Sequence, residues 1–161
     1  MLKLIYFSLI YPKILYGLEV YANTYQTYLH DLMIINNRIL RILQKKDRLC
    51  HTIDLYSAYN TLPIDKLFNL KALLYAHAQI YRPMTLPKII QEKMMLNNQI
   101  HQHQTRSSSN FHRSSYNSTR GSKSFSNISA VLWNSLENNV KSVSSDISFK
   151  KIIIQQQRNN I

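Results

Sequence analysis

Arg38, Arg41 and Lys45 recur at steps of three and four, and Lys46 and Arg48 follow directly. Residues three and four apart share a helix face, so the first three make a cationic edge and the last two carry the charge into the following loop. A rigid positive edge suits a phosphate backbone: it positions a nucleic acid without reading its bases. A solvated helix face would carry the same residue types, and the five residues alone do not separate the two readings.

The remaining reactive side chains point away from catalysis. Phosphoryl transfer by two metal ions needs aspartates that hold both ions. The acidic residues are Glu19, Asp31, Asp47, Asp54, Asp65, Glu92, Glu137 and Asp146, and no two are adjacent. There is no Gly-rich phosphate loop and no nucleophile motif. No catalytic residue, metal site or cofactor is expected of this chain on its own. His101, His103 and His112 lie in a polar stretch without carboxylate or thiolate support, which defines no metal geometry. Cys50 and His51 are neighbours in sequence, with no third group to orient the imidazole.

The charge balance bears on partners rather than fold. Lys and Arg total 20 against 8 Asp and Glu, a net charge of +12 over 161 residues. Nucleic acid is the first partner class this suggests, because neutralised phosphates release counterions; an anionic membrane surface is the second. The single cysteine, Cys50, rules out an internal disulfide and fits a reducing compartment, nucleus or cytoplasm. Residues 1–22 are largely apolar, but Pro12, Lys13 and Glu19 interrupt them and no signal-peptide cleavage pattern follows. They read as a buried helix pair, not as a membrane anchor. The tripeptides Asn117-Ser118-Thr119 and Asn127-Ile128-Ser129 match a glycosylation pattern that a Ser/Asn-rich chain produces by chance.

The elements that must position the basic edge are helical. Two glycines in the whole chain argue against a sheet with many tight turns. A helix is expected over 2–11, with a break or kink near Tyr11 because Pro12 lacks an amide hydrogen and restricts its predecessor. A second follows over 13–22. The clearest helix spans 25–45, with Thr24 as N-cap and Leu29, Leu32, Ile35, Ile39, Ile42 and Leu43 at steps of three and four. Ile35, Ile39 and Ile42 should dock it to the core. The tyrosines crowding residues 6–28 read as packed rings with hydroxyls reaching water, with base stacking as the alternative. Further helices are expected over 52–60 with Thr52 as cap, over 64–82 up to Pro83, and from Pro87 to Met95. Two last helices fall over 129–140 and 146–157. The stretch 97–127 carries no period; Arg106, Arg113, Arg120 and Lys123 make it a basic arm or a plain linker. The expectation is an all-α fold with three parts: a helical domain over 1–96, a disordered basic linker over 97–127 and a short helical appendage over 128–161.

The order of several blocks adds a family resemblance. These are Leu9-Ile10-Tyr11-Pro12-Lys13-Ile14-Leu15-Tyr16-Gly17-Leu18-Glu19-Val20, then Asn37 to Leu43, Tyr59 to Ile64, Thr105-Arg106, and Trp133-Asn134-Ser135-Leu136 followed by Phe149-Lys150-Lys151. In that succession the chain resembles the C-terminal, post-palm region of reverse transcriptases from non-LTR retrotransposons of the jockey-like group. The resemblance implies a thumb-like domain that grips a template–primer duplex of RNA, DNA or both, next to a polymerase palm in the full-length protein. It assigns Arg38, Arg41 and Lys45 to the family's basic helix. The family's catalytic aspartates have no matching positions here. Tyr21, where tryptophan is common, and Glu137, where proline often follows Leu136, mark a drifted copy. A start at Met1 in mid-domain implies a truncated element or a partial gene model. The other readings are a captured nucleic-acid-binding module without catalysis, a membrane-associated helical protein, and a decayed fragment without function.

Overall fold

The computed structural model describes residues 2–101 and 106–159, and His103 and Thr105 lie outside them. The fold is all-α: among the described residues there is no strand, only an isolated bridge between Leu96 and Phe111. No helix among them is long and apolar enough to cross a membrane. The chain packs as two compact units, residues 1–68 with 157–161, and residues 69–156. The chain passes between them inside two helices, after Phe68 and after Gln156, rather than near the expected divisions at 96 and 127.

In the first unit, helix α1 (Leu2–Ile5) runs into a π-helical turn over Tyr6–Ile10 and then into α2 (Tyr11–Leu15). Of the break or kink expected near Tyr11, the helix shows no break, only this π-helical irregularity. The Tyr11 amide bonds the Tyr6 carbonyl, five residues back, and Pro12 sits at the start of the next α-helical turn. A π-turn leaves room for the ring and for its missing amide hydrogen, so helical hydrogen bonding continues past the proline. The chain turns instead at Gly17, whose φ of 67° is left-handed, before α3 (Leu18–Tyr21). Helix α4 (Gln26–Leu43) follows. Its N-cap is Tyr25, not Thr24, and no side chain caps it. Helix α5 (Thr52–Tyr59) places Thr52 inside its first turn, with His51 at the cap position and left-handed Asn60 closing it.

The core of this unit gathers Tyr6, Leu40, Leu55, Tyr56 and Tyr59. The Tyr6 ring meets Phe7 and Tyr59 edge to face at 5.2 and 5.7 Å. Tyr6 of the tyrosine-rich segment is thus a packed ring, whereas Tyr16, Tyr25 and Tyr28 are 87%, 56% and 74% exposed. The hydroxyls of Tyr6 and of Tyr56 in α5 meet protein rather than water.

Helix α6 (Ile64–Tyr81) starts in the first unit and continues in the second. A 3-10 turn over Pro83–Thr85 and α7 (Lys88–Lys93) come next, with Pro87 as the N-cap residue. Then come α8 (Asn97–Ile100), α9 (Thr119–Ser122), α10 (Phe125–Asn134), α11 (Asn138–Lys141) and α12 (Asp146–Asn159). The helix expected over 129–140 starts four residues earlier and stops at Asn134.

His77, fully buried, centres the second unit. Its ring stacks on Phe149 at 4.3 Å and tilts against Trp133 at 6.3 Å. Its Nε2 donates to the Val143 carbonyl at 2.7 Å, while Nδ1 lies 3.1 Å from the Asp146 carboxylate, out of hydrogen-bond alignment. Asp146 in turn pairs with Arg82. Burial pushes the imidazole below its ordinary pKa, against the pull of the Val143 carbonyl. Part of the 97–127 stretch belongs to this core. Phe111 is buried edge to face against Trp133, and the Asn134 amide pairs with both its backbone groups, accepting at 3.0 Å and donating at 2.9 Å. A periodic apolar pattern is not needed when one aromatic anchors a loop.

Candidate nucleic-acid interface

Helix α4 carries the basic edge, and a polar knot fixes its buried side. Asn36 is 1% exposed; its Oδ1 accepts from the Tyr6 hydroxyl at 3.2 Å and its Nδ2 donates to the Tyr56 hydroxyl at 3.1 Å. Tyr56 donates onward to Asn37 Oδ1 at 2.6 Å. Each buried polar atom of the knot has a partner, which burial requires. Burial pushes both phenols up to about 12. The buried line of α4 is Leu29, Asn36 and Leu40, flanked by Met33 and Leu43. Ile35 and Ile42, expected to dock the helix, are instead 51% and 73% exposed.

The C-terminal end of α4 is closed by its backbone. The Lys46 amide bonds the Arg41 carbonyl at 2.9 Å and the Lys45 amide bonds the Ile42 carbonyl at 3.1 Å. This is a Schellman closure, with Lys45 as its left-handed residue at φ 52°. Gln44 ties the end to α5 through the Leu55 carbonyl at 2.8 Å, and the Tyr59 hydroxyl donates to the Leu43 carbonyl at 3.3 Å. Arg41 turns its guanidinium to the Cys50 carbonyl, with Nη2 at 3.1 Å and Nε at 3.4 Å, and so pins the returning loop.

The closure folds the loop back beside the helix. Arg38, Arg41, Lys46 and Arg48 then line one open groove of about 570 Å³ together with Ile42. Among the described residues no carboxylate pairs with Arg38, Lys46 or Arg48. Four of the five expected residues therefore share a site, and Lys45 does not line it. Its place in the closure takes it off the helical edge that steps of three and four imply. Sequence reasoning missed Asn36 and Gln44, the polar anchors of the helix. The signal for Asn36 was its position, seven residues after Leu29 and four before Leu40. His101 and His112 meet edge to face at 5.5 Å, and no three His, Cys, Asp or Glu side chains of the described residues gather as metal ligands.

Comparison with protein families, characterised proteins and solved structures finds no match for the chain.

Proposed function

We propose that the first unit binds nucleic acid along the groove at the C-terminal end of α4. The observation that carries this reading is the gathering of Arg38, Arg41, Lys46 and Arg48 around one open groove without paired acids. Arginine forks and a lysine ammonium complement phosphate oxygens, the contacts that hold a backbone whatever its sequence. Binding is electrostatic and tolerant of sequence. Arg41 is partly committed to the Cys50 carbonyl, which leaves three cations for phosphates.

The order of blocks in the sequence supports a more specific origin: the post-palm, thumb-like part of a jockey-like retrotransposon reverse transcriptase. In that reading the chain holds a template–primer duplex in nucleus or cytoplasm, contributes no catalytic aspartate, and works beside a palm in the full-length protein.

The test is binding of the whole chain to a labelled RNA–DNA duplex across a salt series. Three neutralised phosphates give a slope of about −2.7 in log K against log salt. R38A/R48A lowers its magnitude by about two. A flat salt dependence, or a slope indifferent to both substitutions, refutes the groove.

A further inference from the structure

Helix α4 carries two apolar seams. Leu29, Met33, Asn36, Leu40 and Leu43 follow spacings of four and three and face the core. Tyr28, Leu32, Ile35, Ile39 and Ile42 follow the same spacings one position earlier. This is the heptad period of a helix that packs along a partner helix. Tyr28, Ile35 and Ile42 are 74%, 51% and 73% exposed, although all are large and apolar. Leu32, Ile35 and Ile39 form one wall of an open groove of about 560 Å³, and Leu9, Ile10 and Ile14 lie across it. Lys13, Tyr21 and Asn36 complete a lining that is mostly apolar, the character of grooves that take an amphipathic helix.

We propose that this seam pairs with itself: two copies of the chain associate antiparallel through α4. The charges beside the seam select this occupant. In the heptad register Asp31 and Arg38 hold equivalent flanking positions, acidic toward the N-terminal end and basic toward the C-terminal end. Antiparallel pairing with Leu32 against Ile35 of the second copy also sets Ile39 against Tyr28. It brings Asp31 of each copy beside Arg38 of the other, two opposite-charge pairs from one symmetric contact. Parallel pairing would set Arg38 toward Leu43 and Asp31 toward Asn36, both on the core-facing side of α4, with no charge match. Asp31 is free to turn outward: its side chain is 92% exposed, and its neighbour is the His30 ring, 3.8 Å away on the same helix.

The test is sedimentation velocity of the full chain from low to high micromolar concentration. Wild type passes from monomer to dimer. I35E stays monomeric with an unchanged helical spectrum, since Ile35 lies outside the core. D31R and R38D each bring like charges together and lose the dimer at the concentration where wild type is half paired. The exchange D31R/R38D restores it. Pairing engages Arg38, which also lines the cationic groove, so sedimentation is run without nucleic acid. D31R keeps every groove residue and so separates loss of the dimer from loss of duplex binding. Four results overturn the proposal: wild type monomeric throughout, a dimer indifferent to I35E, a folded D31R/R38D that does not pair, or a monomer that floats with anionic vesicles and so reveals a lipid occupant.

Discussion

Replacing Asn36 by alanine should cost the first unit about 2–3 kcal/mol. Two hydrogen bonds disappear, each worth about 1 kcal/mol net. The Tyr6 hydroxyl, with no solvent exposure, loses its acceptor, which adds about 1 kcal/mol or more. Alanine's better helix propensity returns roughly half a kcal/mol. Tyr56 suffers less, because its proton still goes to Asn37. At about 2–4 °C per kcal/mol for a chain of this size, the midpoint falls by roughly 4–12 °C. N36L/Y6F/Y56F removes donors and acceptors together and should cost clearly less than N36A, because no buried polar atom of the trio is left unpaired. Hydrogen exchange of α4 amides measures the loss, and Trp133 fluorescence, which reports the second unit, serves as the internal reference. If N36A costs less than about 0.5 kcal/mol, or the triple variant is the less stable, the knot does not hold α4.

The salt series should show affinity for an RNA–DNA duplex falling roughly 40-fold between 50 and 200 mM salt, as three phosphate contacts require. Alkali should unfold the first unit in a defined window: Tyr6 and Tyr56 ionise at about 12 when folded, against 10.0 when free. A raised folded pKa means stability is complete below pH 10 and drains between pH 10 and 12. Thermal midpoints of Y6F/Y56F should stay flatter through that range. K45G should stabilise the end of α4 by about 1 kcal/mol, since glycine adopts the left-handed conformation without penalty. Its duplex affinity should stay within about twofold of wild type, because Lys45 does not line the groove; a tenfold loss would return Lys45 to the site.

Helix existence was legible along most of this chain, and helix ends were not. The period over 64–82 and the stop at Pro83 reappear as α6 because a long apolar stripe and a proline act locally. Pro12 misled for the opposite reason: its local preference breaks a helix, but the π-turn before it accommodates the ring while Tyr6 stays anchored in the core. Thr24 and Thr52 had the chemistry of caps, yet the chain enters each helix one residue away from the expected register. Phe111 was invisible for lack of neighbours of its own kind. Its anchor is Asn134, twenty-three residues away.

The deeper ambiguity lies in α4, where periodicity supported two answers of equal quality. Leu29–Leu40 and Ile35–Ile42 obey the same spacing, and a hydrophobic pattern cannot say which seam the core takes. Side-chain chemistry decides. The buried seam contains Asn36, which would be costly against apolar surface but meets two phenols on facing helices. The isoleucine seam holds no amide that needs a buried partner, so Ile35 and Ile42 stay exposed while Ile39, between them, packs against the core. That choice sets the orientation of everything else on the helix. With Asn36 turned inward, Arg38 and Arg41 fall beside the returning loop, and the Schellman closure brings Lys46 and Arg48 to them. One buried amide thus determines which side of α4 carries the charge and which apolar edge is left unpaired. Substituting Asn36 should therefore loosen the cationic groove and the isoleucine seam together, although it touches neither.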